Sequence, residues 1–305
     1  MKYIPVSGVY PTMVTLYKDN GEINFESTEK LVNWFIQNNC QGIFAACQSS
    51  EIFYLSLEEK IQLVKTVLSA ANINKRVTII ASGHTSYTLR DQIYELNKIA
   101  DTGVDALILI SNRMDIGNTG DDNWIREAEY LIKQLPDDLP LGVYECPYPY
   151  KRLMSEKMLE WCRDTGRFYF LKDTCCDADL IAKRCEILSG SDMKLYNANA
   201  QTLLDSLKSG AGGYCGVMGN FHPNLYVRLC EIFDSQPEKA RELQALLGIC
   251  AFVESLDYPT CAKYHLKEFT GIETALTSRA IPNRKLSEYI RSCVRQMNTL
   301  INTYK

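Results

Sequence analysis

Lys172 and Tyr144 are two side chains whose types and positions suit covalent chemistry on a small molecule. Lys172 ends the apolar run Phe168-Tyr169-Phe170-Leu171, and such neighbours disfavour the ammonium form and leave a nucleophilic amine. Tyr144 ends the preceding apolar run, so its phenol could pass protons beside Lys172 if consecutive strands pair. Spacing alone favours a simpler role for Lys172, in an ion pair with Asp173 or extended to the rim, and leaves Tyr144 equally suited to the core.

The segment Cys47-Gln48-Ser49-Ser50-Glu51 follows the second apolar run and precedes a helical pattern. Its side-chain amide, two hydroxyls and backbone amides are donors that suit a small carboxylate. An ordinary capped loop has the same composition. The turn is therefore a candidate anion site that needs support from elsewhere in the chain.

Short apolar runs that read as strands recur along the first 217 residues and must position these groups. Their starts are separated by about 20 to 35 residues, the length of a strand with its crossover helix. The intervening segments carry helix N-cap signals at Ser56, Thr88, Ser155, Asp177 and Asn199. Eight such units predict an α/β fold, a (β/α)8 TIM barrel with a C-terminal helical extension. The runs begin at Val9, Ile43, Val77, Ala106, Leu141, Phe168, Met193 and Gly213.

Beyond His222 the pattern becomes helical, over residues 237–256, 259–269 and 286–304. We therefore predict a catalytic barrel over residues 1–222, and a last barrel helix with a helical subdomain over residues 223–305. An open, doubly wound sheet is disfavoured because the first turn, Leu16 to Gly21, lacks a glycine-rich phosphate fingerprint. In a barrel, reactive groups lie at the carboxyl ends of the strands, where Lys172 and Tyr144 are predicted.

Five motifs in register resemble those of the dihydrodipicolinate synthase / N-acetylneuraminate lyase family. The resemblance extends over essentially the whole chain. The motifs are Gly8-Val9-Tyr10-Pro11-Thr12-Met13-Val14-Thr15, the Cys47 to Glu51 turn followed by Leu55-Ser56-Leu57-Glu58-Glu59-Lys60, Thr102-Gly103-Val104-Asp105-Ala106, Tyr144-Glu145-Cys146-Pro147 and Leu171-Lys172-Asp173-Thr174.

The resemblance implies a class I aldolase that forms a lysine Schiff base with pyruvate or a related 2-keto acid. By position, Lys172 resembles the family's Schiff-base lysine and Tyr144 its proton-relay tyrosine. Gln48 and Ser49 fall where the family holds the keto-acid carboxylate, while Thr174 is placed to contact a hydroxyl beyond the keto group. Val217, at the end of the eighth run, completes the predicted substrate-binding set. No cofactor and no metal are expected.

The chain also departs from the family patterns. Gln48 and Ser50 stand where the family has a hydroxyl residue and a glycine, and Ser111-Asn112-Arg113-Met114 replaces the proline and tyrosines of the synthases. The acidic pair of the sialic-acid lyases is also missing after the seventh run. We therefore expect a hydroxy-keto acid or a 2-keto-3-deoxy sugar acid as substrate. The alternatives are synthase-like or N-acetylneuraminate lyase-like activity proper, or a non-catalytic keto-acid-binding barrel.

Composition limits the classes of partner that we expect. The chain has a net charge of −4, so it lacks the strong positive electrostatic field that dominates nucleic-acid binding. No apolar run approaches the ~18 residues of a membrane span. We expect a cytoplasmic protein, with the homotetramer (a dimer of dimers) or homodimer that the family implies. A phosphate-binding barrel is disfavoured because Gly210 to Gly213 precede the eighth strand, and metal-dependent chemistry because the three histidines form no close pair.

Overall fold

Eight parallel strands form one barrel in a computed structural model, which describes residues 6–74 and 77–304. From the second strand to the eighth, consecutive strands pair with each other, and the first strand pairs with the eighth. A parallel bridge between Thr12 and Phe44 closes the gap between the first and second strands. The predicted (β/α)8 barrel is confirmed. The strands are β1 (Gly8–Val9), β2 (Gly42–Ala46), β3 (Thr78–Ala81), β4 (Ala106–Ile110), β5 (Leu141–Tyr144), β6 (Phe168–Asp173), β7 (Lys194–Asn197) and β8 (Gly213–Tyr214).

Helices separate the strands and cover the barrel. The apolar strands β2, β4, β5 and β6 are buried along their whole length, because helices cover one face and barrel side chains fill the other. The helices are α1 (Phe25–Gln37), α2 (Leu57–Asn74), α3 (Leu89–Ala100), α4 (Asp121–Ile132), α5 (Glu156–Thr165), α6 (Ala178–Leu188), α7 (Leu203–Lys208), α8 (Pro223–Ile232), α9 (Pro237–Cys250), α10 (Thr260–His265) and α11 (Glu288–Thr303).

Four of the five predicted N-caps are confirmed. Ser56 and Glu59 exchange the two hydrogen bonds of a capping box, and the side chains of Thr88, Ser155 and Asp177 accept from the first turns of α3, α5 and α6. Asn199 is the exception: its side chain accepts from Thr202 N, but helix α7 starts only at Leu203. There the side chain stabilises the turn before the helix.

The C-terminal segment is helical, as predicted. Helix α9 continues into a 3₁₀ helix over Ala251–Ser255, and α10 continues into a π-helix over Leu266–Thr270. Helix α8, which follows β8, packs against α9. The boundary at residue 222 stays a prediction. Among the helices in the described part of the chain, none is long and apolar enough to cross a membrane.

Candidate active site

The predicted site residues lie around one cavity of about 420 Å³ at the carboxyl ends of the strands. β5, β6 and the turn after β2 supply most of them, and the turn after β8 supplies Val217. The structure thus brings together all six residues that the sequence predicted: Lys172, Tyr144, Gln48, Ser49, Thr174 and Val217.

Lys172 and Tyr144 are direct neighbours in the sheet. The two residues occupy the same register position on β6 and β5. Lys172 is 4% exposed, and its Nζ lies 4.1 Å from the centroid of the Tyr144 ring and 5.6 Å from that of Phe44. A buried amine held against two aromatic faces, with its end on a cavity, is well positioned to attack a small bound molecule.

Tyr144 contacts the turn after β2 through its hydroxyl. The Tyr144 hydroxyl donates to Gln48 Oε1 at 3.5 Å, and Cys146 Sγ lies 3.3 Å from the same oxygen. Burial raises the pKa of Tyr144 well above its ordinary value of 10. The phenol therefore stays protonated at neutral pH and acts as a hydrogen-bond donor or proton source.

The two serines of this turn have different surroundings. Ser49 lines the cavity and donates to Thr12 Oγ1 at 3.1 Å. The Ser50 hydroxyl is fully buried, accepts from Cys47 N, and lies 2.6 Å from the carbonyl oxygen of Met13. Ser50 therefore fastens the turn to the barrel wall, while Gln48 and Ser49 face the cavity.

Thr174 and Val217 occupy the walls beside Lys172. The Thr174 hydroxyl donates to the Glu145 carbonyl at 2.8 Å, so its oxygen can still accept a hydrogen bond from a bound molecule. Val217 begins the 3₁₀ turn Val217–Asn220, and its carbonyl accepts from Asn220 Nδ2. The site therefore combines polar groups near Lys172 with an apolar contact at Val217.

A buried cation lies behind the site and holds the ends of β5 and β6 together. Arg184 on α6 contacts both Glu145 and Asp173, and all three side chains are inaccessible to solvent or nearly so. Glu145 also accepts from Thr174 N at 2.8 Å. Burial, reinforced by the charge of Asp173 and opposed by that of Arg184, raises the pKa of Glu145 to about 7.

Replacing this cation is expected to destabilise the fold. An Arg184→Met variant leaves two buried carboxylates without a counter-charge and should lose about 3–5 kcal/mol in the free energy of unfolding, measured by urea denaturation. The loss should grow as pH rises above about 7. A carboxyl whose folded-state pKa is raised favours the folded state at low pH, and this contribution disappears as pH rises through that pKa. In the wild type this decline ends near the pKa of about 7 that Glu145 has beside Arg184, whereas removal of the cation raises the pKa of Glu145 further and extends the decline.

An exposed arginine offers the matched control. Arg241 pairs with Glu238 on the surface of α9, and Arg241→Met should change the free energy of unfolding by about 0.5 kcal/mol or less. If the two substitutions lower the free energy of unfolding equally, or if the loss in Arg184→Met does not depend on pH, Arg184 is not the counter-charge of the two buried carboxylates.

Several cavity residues were missed because they do not follow a barrel strand. Glu254 and Tyr258 come from the segment between α9 and α10, and Ala280 and Ile281 from the segment before α11. Glu254 falls inside a helical pattern, where a glutamate is an ordinary surface residue. Nothing in the local sequence distinguishes it.

Three charged residues that follow strands β4 and β5 differ in their surroundings. Lys151 lines the cavity and donates to the Thr174 carbonyl at 2.8 Å. Arg113 instead donates to the carbonyls of Thr85 and Ser86, and Glu145 belongs to the buried cluster around Arg184. Of the three, Lys151 alone is placed to meet a molecule in this cavity.

Within residues 6–74 and 77–304, no group of three or more His, Cys, Asp or Glu residues is arranged to hold a metal ion. The twelve cysteines are all free thiols, including the adjacent Cys175 and Cys176. The expectation of a site without metal or cofactor stays a prediction.

The fold and the site together define a class of protein. It is a (β/α)8 barrel whose candidate small-molecule site, with a lysine beside a tyrosine, lies at the carboxyl ends of the strands. Comparison with known proteins then identifies the family. The sequence model of the Dihydrodipicolinate synthetase family matches residues 5–280. The chain belongs to this family, whose members are lyases, and it is an enzyme of that class.

Similar proteins and structures span almost the whole chain. A 4-hydroxy-tetrahydrodipicolinate synthase of Clostridium perfringens is 26% identical over 266 residues, covering 84% of this chain and 87% of that protein. The crystal structure of a dihydrodipicolinate synthase from Bacillus anthracis superposes with a TM-score of 0.87 at 23% identity, covering 97% of this chain and 99% of that chain. A prophage protein of the same family from E. coli K12, solved in complex with pyruvate, gives a TM-score of 0.84 at 19% identity, covering 97% and 98%.

Proposed function

We propose that this enzyme is a class I aldolase that forms a Schiff base between Lys172 and pyruvate or a related 2-keto acid, and makes or breaks a carbon–carbon bond. The substrate is a hydroxy-keto acid or a 2-keto-3-deoxy sugar acid. The observation that carries the proposal is the buried Lys172 amine on the cavity, 4.1 Å from the centroid of the Tyr144 ring. The pyruvate complex of the E. coli K12 family member supports the choice of ligand.

The proposed reaction starts with addition of the Lys172 amine to the keto carbon, whose carbonyl electrons move to oxygen. One proton passes from the Lys172 nitrogen to that oxygen and Tyr144 supplies a second, so the carbon–oxygen bond breaks, water leaves and a cationic imine forms. The imine draws electrons from the neighbouring carbon, so cleavage or formation of the next carbon–carbon bond proceeds through an enamine. Gln48 and Ser49 hold the keto-acid carboxylate through an amide and a hydroxyl.

The distal part of the substrate would meet Thr174, Val217, Lys151 and the residues contributed by the C-terminal helices. The hydroxyl of Thr174 can accept a hydrogen bond from a substrate hydroxyl. Thr174 and Lys151 supply polar contacts in these otherwise mainly apolar walls, which suits a hydroxylated tail.

Reduction with borohydride in the presence of pyruvate tests the proposal. Reduction converts the imine to a stable secondary amine, which peptide mass mapping locates. We expect the adduct on the peptide that contains Lys172, with the peptide that contains Lys151 unmodified as an internal control from the same cavity. A protein without an adduct, or with one on Lys151, would refute the proposed chemistry. An adduct without turnover on any hydroxy-keto acid would favour a keto-acid-binding barrel.

We also propose that the protein assembles as a homotetramer or homodimer. Light scattering of the purified protein tests this assembly, and the mass of a monomer would contradict it. Location in the cytoplasm stays a prediction.

A further inference from the structure

Glu254 is a carboxylic acid on the cavity that the mechanism above does not use. It lies in the 3₁₀ helix Ala251–Ser255, which contacts the turn Val217–Asn220 at the end of β8. Its side chain and those of Lys172 and Tyr144 line the same space. A substrate bound covalently to Lys172 would therefore extend within a cavity that also holds this carboxyl.

The Glu254 carboxyl lacks the partners that other acids have at this end of the barrel. Its Oε2 is buried and accepts no hydrogen bond from the part of the chain that the structure describes. By contrast, Glu51 pairs with Lys263 and accepts from Ser278, and Glu145 pairs with Arg184. A buried acceptor without a donor is unfavourable, and a catalytic role is one reason for which such groups are retained.

The electrostatic surroundings of Glu254 suit proton transfer. Burial raises the pKa of Glu254 to about 7, and the charge of Lys172 opposes this rise. The other titratable groups that interact with its charge are neutral at pH 7, because burial raises the pKa of each above its ordinary value. They are Cys176, Tyr214, Tyr226 and Cys261. Lys151 is the other cation on the cavity wall. An acid with a pKa near 7 exchanges protons efficiently in either direction at neutral pH.

We infer that Glu254 is a third catalytic residue, which takes the proton from the substrate hydroxyl two carbons beyond the imine carbon. This role rests on the proposed function of Lys172. The carboxyl of Glu254 lines the cavity and accepts that hydroxyl there.

In the cleavage direction, ionised Glu254 removes the proton of the carbon 4 hydroxyl. The O–H electrons form the aldehyde carbonyl, the bond between carbons 3 and 4 breaks, and its electrons form the carbon 2–carbon 3 double bond of the enamine while the imine electrons return to nitrogen. Glu254 holds the proton at this point. In the condensation direction the same proton passes from Glu254 to the aldehyde oxygen as the new bond forms.

A Glu254→Gln variant separates this role from imine chemistry. Pyruvate has no carbon 4, so borohydride trapping and exchange of its methyl protons in D₂O, followed by NMR, should be unchanged. Condensation of pyruvate with glycolaldehyde or glyceraldehyde should fall by about 10²-fold. In the wild-type protein Glu254 must be protonated to condense these aldehydes, so kcat/KM should decline as pH rises above about 7, and the variant should lose this decline.

Glu242→Gln is the matched control, since Glu242 is an exposed residue of α9 outside the cavity, and it should leave both reactions unchanged. The inference is overturned if Glu254→Gln keeps full condensation, or loses trapping together with condensation as a purely structural change would produce. It is also overturned if the wild-type protein exchanges pyruvate protons but condenses neither aldehyde. Failure of the wild-type protein to trap pyruvate would instead refute the proposed function itself.

Discussion

A Lys172→Ala variant is expected to form no reducible adduct with pyruvate and to lose ~10⁵-fold or more of its turnover. The imine exists only if an amine reaches the keto carbon. Lys151, the other amine on the cavity, donates to the Thr174 carbonyl at 2.8 Å, whereas the Lys172 amine lies against the Tyr144 ring. Mass mapping after borohydride treatment and a steady-state assay measure the two effects.

Controls for this variant address the fold and the second lysine. Lys172→Met keeps much of the buried aliphatic side chain and should lose the adduct equally, so the loss cannot be attributed to a cavity in the core. Lys151→Gln should still form the adduct with pyruvate. An adduct in Lys172→Ala, or its disappearance in Lys151→Gln alone, would move the nucleophile to Lys151.

Much of the fold follows from local sequence. The buried strands are continuous apolar runs, and the hydrogen bonds of Ser56, Thr88, Ser155 and Asp177 confirm helix starts that residue types and spacing predict. Asn199 shows the limit of such signals. An N-cap residue and a turn residue use the same side-chain acceptor, and only the downstream backbone decides between them.

The site residues that lie at strand ends can also be predicted from local sequence. Because β5 and β6 pair in chain order, the adjacency of Tyr144 and Lys172 needs only the barrel hypothesis and the end of each run. The orientation of the Ser50 side chain could not be predicted without the structure, since its hydroxyl points into the barrel wall at Met13 rather than into the cavity. The sequence pattern does not distinguish these two orientations.

The remaining walls of the cavity are formed by segments that are distant in the sequence from the barrel strands. Glu254 and Tyr258 reach the cavity because the segment after α9 lies against the turn after β8. Similarly, Ala280 is placed by Glu51, whose carboxylate accepts from its backbone across 229 positions of the chain. No short motif encodes contacts at such separations, and the catalytic role inferred for Glu254 became visible only from its surroundings.

A Tyr144→Phe variant is expected to retain slow turnover, reduced by about 10²- to 10⁴-fold, because it removes only the proton donor. The ring that faces the Lys172 amine and packs edge-on against Phe44 remains. Burial raises the pKa of Tyr144 well above 10, so the wild-type phenol is protonated throughout pH 6 to 9. The deficit of the variant should therefore be the same at both ends of this range, measured as kcat for condensation.

Tyr10→Phe provides the comparison with another buried tyrosine hydroxyl of the barrel. The Tyr10 hydroxyl donates to the Val6 carbonyl, away from the cavity, and its loss should cost about 1 kcal/mol in the free energy of unfolding without slowing the reaction. Borohydride should still trap pyruvate on Tyr144→Phe after longer incubation, because the amine is intact and only the departure of water is slowed. If trapping is as fast as in the wild-type protein while turnover falls, Tyr144 acts after the imine has formed. Unchanged turnover would remove Tyr144 from the chemistry altogether.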